Sequence, residues 1–315
     1  MMENVGLIAA TGSPWAWHPH PVGWVVVIGV AAGYVFLLRT WRGADQSPAG
    51  TLGVGGAPDH AAGPPSGRAT RRQQACFGIG LLLLLIALSW PVADLADSSL
   101  LLRMTQRSLL LLVVPPLLLT GLPRWLVDRL TEPVLVDNVL RALTRPVVAT
   151  LLFNAAVVAS FLAPAINGEA RSAPIAVGIS LGLLAVALIM WMPALRTLPG
   201  EHYLSTGGRA GYLMVQAILP SFPALVFIFA QRPLYSAYAH APTTLGFSPL
   251  LDQQAAGALA KVAGLGILLG AAGFFLLRWH QAEETGSDPD PLLWDDVERE
   301  LRRLERRSPP TDSAS

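Results

Sequence analysis

The residues of this chain best suited to chemistry sit close to the ends of its apolar runs. His18 and His20 flank Pro19. Two imidazoles at i,i+2 suit copper or zinc, and the thioether of Met104 would add a soft ligand for Cu(I), with His240 as a further imidazole. The simpler reading of the pair is a headgroup-level segment shared with Trp15, Trp17 and Trp24, since amphipathic rings collect at membrane interfaces. Arg103 and Arg107 are four apart and share one helix face. Asp94 and Asp97 lie just upstream as counter-ions. A charge-paired helix cap and a docking or anion site both fit this pattern, the cap better. Gln106, Asp252, Gln253 and Gln254 complete a polar cluster at the same end of their runs. Lys261 stands about two turns inside an apolar run. An ionisable group at that depth marks a functional site unless its long stem carries the charge back to the interface.

The elements that must position these groups follow from composition. Of the 315 residues, 52% are hydrophobic and only 14% charged, against about 25% charged in soluble domains. Mean hydropathy is +0.48. Charges crowd between long apolar runs, which divides the chain into spans and loops. The runs fall near residues 21–38, 76–90, 104–122, 147–166, 174–194, 210–230 and 255–277, each close to the ~20 residues that cross a hydrocarbon core. The expectation is therefore an all-α polytopic membrane protein, a bundle of about seven transmembrane helices. Arginine is concentrated in the loops after the first, third, fifth and seventh runs, which predicts an external N-terminus and a cytoplasmic C-terminus.

On this reading residues 1–20 form a short external segment and 21–280 the membrane domain. Residues 43–67, rich in Gly, Ala and Pro, form a flexible cytoplasmic loop. Residues 281–315 form a cytoplasmic tail. Within the tail, Leu293, Val297, Leu301 and Leu304 recur at helical spacing; the segment lies on the membrane, docks a partner, or is a solvated frayed end. Gly266 and Gly270 predict a close helix approach in the last span, and Pro115-Pro116 predicts a kink in the third.

Several functions are excluded. The single Cys76 allows no intramolecular disulfide and no Cys-pair metal or redox motif. Net charge is +1, which gives no bulk attraction to nucleic acid. No hydrolase, kinase or nucleotide-binding motif appears; Gly53 to Gly56 follows no strand and opens no helix. No basic segment precedes the first apolar stretch, so no cleaved signal peptide is expected.

Five strings together resemble the CtaG family of bacterial cytochrome c oxidase assembly factors. They are Trp17-His18-Pro19-His20-Pro21, Ser89-Trp90-Pro91 through Asp97, Met104-Thr105-Gln106 through Pro115-Pro116-Leu117-Leu118-Leu119 to Pro123, Arg232-Pro233-Leu234-Tyr235 with Tyr238, and Gly246-Phe247-Ser248-Pro249-Leu250 through Asp252-Gln253-Gln254 to Gly257. They follow the family's order across all the spans. The Pro-Pro-Leu-Leu-Leu and Ser-Pro-Leu-x-Asp-Gln-Gln strings are the most specific. The resemblance implies a non-enzymatic assembly factor for a haem–copper oxidase, seated in the bacterial inner membrane, with an oxidase subunit or assembly intermediate and the lipid bilayer as partners. It brings copper in as a candidate ligand, with no cofactor otherwise implied. The chain departs from the family where a His-Met-x-Gln-His pattern opens the third span: Arg103 and Arg107 stand in place of both histidines, and a guanidinium offers no lone pair to a metal. Residues 174–185, where the family tends to be histidine-rich, contain none. His18 and His20 are the matching histidines that remain. The rival expectations are a copper-handling membrane protein outside oxidase assembly and a small-solute transporter.

Overall fold

The computed structural model describes residues 21–40, 69–89, 92–198, 204–239, 245–286 and 301. Regular structure among them is helical throughout, with no strand. In chain order come α1 (Pro21–Thr40), α2 (Arg71–Leu88), α3 (Val92–Ser98) and α4 (Leu100–Ser108). A π-helical turn, Leu109–Val113, joins α4 to α5 (Val114–Gly121). There follow α6 (Arg124–Leu130), α7 (Val134–Leu143), α8 (Pro146–Ser160), α9 (Ala163–Arg171) and α10 (Ala173–Leu195). The last are α11 (Thr206–Ile218), α12 (Ser221–Phe229), α13 (Ser236–Ala239) and α14 (Pro249–Glu284).

Among the described residues, six helices or stacked helix pairs are long and apolar enough to cross a membrane, and α7 with α8 makes up to seven if that bent pair is one span. The fourth apolar run departs from its expected limits. Helix α8 ends at Ser160 rather than near residue 166, and α9 opens with Pro164 in its first turn. Pro164 has no N–H to bond Ser160 O and carry α8 onward, and Leu162, the cap of α9, is extended. At 15 residues, α8 rises roughly 22 Å, short of the ~30 Å hydrocarbon core. The predicted loop 43–67 and the tail helix lie outside the described residues, apart from an exposed Leu301.

The proline pair in the third span acts through a π-helical turn. Val114 N–H bonds Leu109 O, one residue further back than in an α-helix. The carbonyl of Leu111 would next be reached by the N–H of residue 115 or 116, and both are proline. Trp191 of α10 fills the gap: its indole N–H donates to Leu111 O at 3.0 Å. This satisfies a backbone group that lipid could not and fixes α10 against the turn. Trp191→Phe is expected to lower stability by about 1–3 kcal/mol, the usual cost of stranding a buried acceptor. The check is thermal unfolding of the detergent-solubilised protein. The loss should shrink when Pro115→Ala gives Leu111 O an N–H from its own helix.

Close helix approach is set elsewhere than the sequence suggests. A Cβ added at Gly266 or Gly270 would meet nothing within 4 Å, so the expected small-residue pair packs against no described neighbour. The tight position on α14 is Gly257, where a Cβ would lie 2.7 Å from Ala224 O and from Phe227 Cβ of α12. At the opposite end of the bundle, a Cβ on Gly121 would lie 2.6 Å from the Phe77 backbone nitrogen of α2. There Tyr34 of α1 stacks on Phe77 with ring centroids 3.8 Å apart and donates its hydroxyl to Gly121 O. Helix α8 is tied to α11 by a closed polar chain. Asn154 donates to Gln216 Oε1 at 3.1 Å, Gln216 donates to Thr150 Oγ1 at 3.0 Å, and Thr150 donates to Pro146 O at 2.8 Å. These amides are consumed by helix pairing and do not line a polar path.

Candidate functional site where α4 and α14 begin

Helices α4 and α14 start side by side because Asp252, in the first turn of α14, caps α4. Its carboxylate accepts the Ser99 hydroxyl at 2.6 Å and the Leu100 N–H at 2.7 Å. A carboxylate belongs at a helix N-terminus, where free N–H groups and the helix dipole favour negative charge. The next two residues each hold a different segment. Gln253 accepts the Leu234 N–H at 2.7 Å, and Gln254 donates to Ala230 O at 3.1 Å. The Asp-Gln-Gln string is thus a three-way fastener joining α14 to α4, to the 230s turn and to the end of α12.

One turn deeper lies a charge cluster. Arg103 is 2% exposed and Arg107 4%, so each guanidinium needs a carboxylate. Arg103 Nη2 donates to Asp97 Oδ1 at 2.5 Å, its Nε donates to the Tyr238 hydroxyl at 3.3 Å, and its Nη1 lies 3.4 Å from Gln106 Oε1. Gln106 in turn donates to Ala87 O of α2 at 2.6 Å. Arg107 Nη2 donates to Glu169 Oε2 at 2.6 Å and its Nη1 to Ser160 O at 2.9 Å. Glu169 Oε2 also lies 4.0 Å from Arg103 Nε. Glu169, 3% exposed, is therefore the shared counter-ion of both arginines. Sequence reasoning paired them with Asp94 and Asp97 and missed it. Asp97 does meet Arg103; Asp94 sits half-buried in the first turn of α3.

Two phenols close the cluster on the side of the 230s turn. Tyr238 donates to Ala96 O at 2.9 Å and Tyr235 to Phe161 O at 2.7 Å. Burial pushes both hydroxyls above the ordinary tyrosine range, although Arg103 pulls Tyr238 and Arg107 pulls Tyr235 the other way. They are neutral donors at any physiological pH.

Met104 lies between the two arginines in sequence and is 1% exposed, packed with Leu100, Ile166, Phe227, Tyr235, Tyr238 and Ala256. Its polar neighbours on α4 are guanidinium donors already engaged with carboxylates. No group of three His, Cys, Asp or Glu side chains able to hold a metal occurs among the described residues. His18, His20 and His240, the other expected ligands, lie outside the described residues. Lys261, half-buried in α14, makes no hydrogen bond or ion pair with a described residue. The amides of Asn154, Gln106 and Gln216 are bonded elsewhere.

Neither a curated protein nor a solved structure matches the chain. The family model for the cytochrome c oxidase caa3 assembly factor (Caa3_CtaG) matches residues 55–282. That stretch holds α2 to α12, nearly all of α14 and every residue of the charge cluster. It is well over half of the 315 residues, and the chain accordingly belongs to this family of cytochrome c oxidase assembly factors.

Proposed function

We propose that the protein assists assembly of a haem–copper cytochrome c oxidase in the bacterial inner membrane, without catalysis, by holding an unfinished subunit through contacts. The observation that carries the contact mode is the pair Arg103 and Arg107, locked to Asp97 and Glu169. A guanidinium keeps its proton and presents only donors, so this centre is a permanent charge clamp at the place where the family pattern carries histidines. It rigidifies four helices, α3, α4, α9 and α13, into one platform. The asymmetry of arginine placement supports an orientation with that platform facing outward, the side on which an oxidase's copper centre would be presented.

The test is copper content of the purified full-length protein, wild type beside a His18→Ala, His20→Ala double variant, with oxidase activity measured in cells carrying each. The contact reading expects sub-stoichiometric copper in both and full oxidase activity from the double variant. Stoichiometric copper in the wild type, lost together with oxidase activity in the double variant, would overturn it in favour of metal delivery.

A further inference from the structure

Helix α7 is built with its polarity reversed for a water-exposed helix. At 100° per residue, Asp137, Arg141 and Thr144 share one side, and Leu135, Val139 and Ala142 the other. The polar side is the buried one: Asp137 and Arg141 are 6% and 9% exposed and Thr144 0%. The Arg141 Nε donates to Asp137 Oδ1 at 2.7 Å. The apolar side faces out, with Leu135 75% exposed and Val139 48%. Water is a poor neighbour for such a face. Helix α7 meets α8 at 73°. The outward face of α8 is equally apolar at Val147, 71% exposed, and Leu151, 65% exposed, as a lipid-facing span requires. With α8 crossing the bilayer, a helix bent from it by 73° runs close to the membrane plane. Arg124 and Arg145, exposed and bonded to no described residue, flank this segment on either side.

We infer that α7 is an interfacial helix, seated in the headgroup region of the leaflet at the arginine-bearing end of the bundle, where Arg124 and Arg145 hold anionic phospholipid. Leu135 and Val139 enter the acyl boundary, as on amphipathic helices that lie in the interface, and the two guanidinia reach lipid phosphates. Helix α7 then anchors the short α8 at one membrane surface and is not a piece of a seventh span. This inference does not depend on the oxidase reading.

The experiment uses the full chain with its native Cys76 replaced by serine and Leu135→Cys or Val139→Cys labelled with an environment-sensitive fluorophore. The protein is placed in nanodiscs of phosphatidylcholine alone or with phosphatidylglycerol. Both positions are highly exposed, so the substitutions leave the packing intact. Expected are apolar emission and quenching by lipids carrying a nitroxide near the headgroup, stronger than by lipids carrying it at the chain end. Spin-labelled phosphatidylglycerol should be enriched around the protein, and Arg124→Gln with Arg145→Gln should lower that enrichment by about fivefold per arginine. Water-like emission with no quenching would overturn the placement. Stronger quenching from the chain end would make α7 part of a span instead. Emission that turns apolar only when an oxidase subunit is added would assign the face to a protein partner. Enrichment unchanged in the double arginine variant would overturn the lipid recognition.

Discussion

Replacing Glu169 by alanine is expected to be among the most damaging single changes in the molecule, at about 3–5 kcal/mol, the range for stranding a buried ionic partner. Both guanidinia at its side are buried, and Glu169 faces both of them. Asp97 is the instructive control. It bonds Arg103 at a similar distance, but its side chain is 56% exposed against 2% for Glu169. Water and salt screen a pair that is open on one side, so Asp97→Ala should cost about 1 kcal/mol or less. Thermal unfolding of the solubilised protein, followed by loss of the monodisperse species, reads both. Equal losses from the two variants would show that Glu169 is not the shared counter-ion.

Asp252→Ala is expected to follow closely, at about 2–4 kcal/mol, since it removes two charge-assisted bonds and the cap of α4 together. The Ser99 hydroxyl that donates to Asp252 also accepts the Leu102 N–H at 3.4 Å. Ser99 and Asp252 therefore form one network, and their losses should not add. The Ser99→Ala, Asp252→Ala double variant should lose less than the sum of the single losses. Strict additivity would mean that the two residues act separately.

Much of the fold was legible in the chain because hydropathy over ~20 residues is a strong, local signal. The limits of α8 were not. The apolar run through Phe161 and Leu162 hides a break that only Pro164 betrays, and hydropathy is blind to backbone geometry. Gly266 and Gly270 show the converse failure: spacing marks a groove but not whether a neighbour fills it, and Gly257, with no partner at that spacing, is where α12 packs. At the site, the Asp252-Gln253-Gln254 string and the Arg103, Arg107 pair were visible as polar groups at the ends of apolar runs. Glu169 was not, because it lies 62 positions from Arg107 and belongs to no motif. One signal was available. Two arginines buried on one helix face need more carboxylate than a half-exposed Asp97 supplies, and Glu169 is the sole acidic residue between positions 147 and 194.

A role in oxidase assembly follows from the family, and membrane haem a reports on it. The measurement is the reduced-minus-oxidised difference spectrum of membranes from cells lacking the gene, alongside the same cells with the gene restored. A large loss of the haem a band and of cytochrome c oxidase activity is expected in the deletant. Recovery is expected with the wild-type gene, and little recovery with Glu169→Ala. A normal haem a spectrum and normal oxidase activity in the deletant would contradict that role.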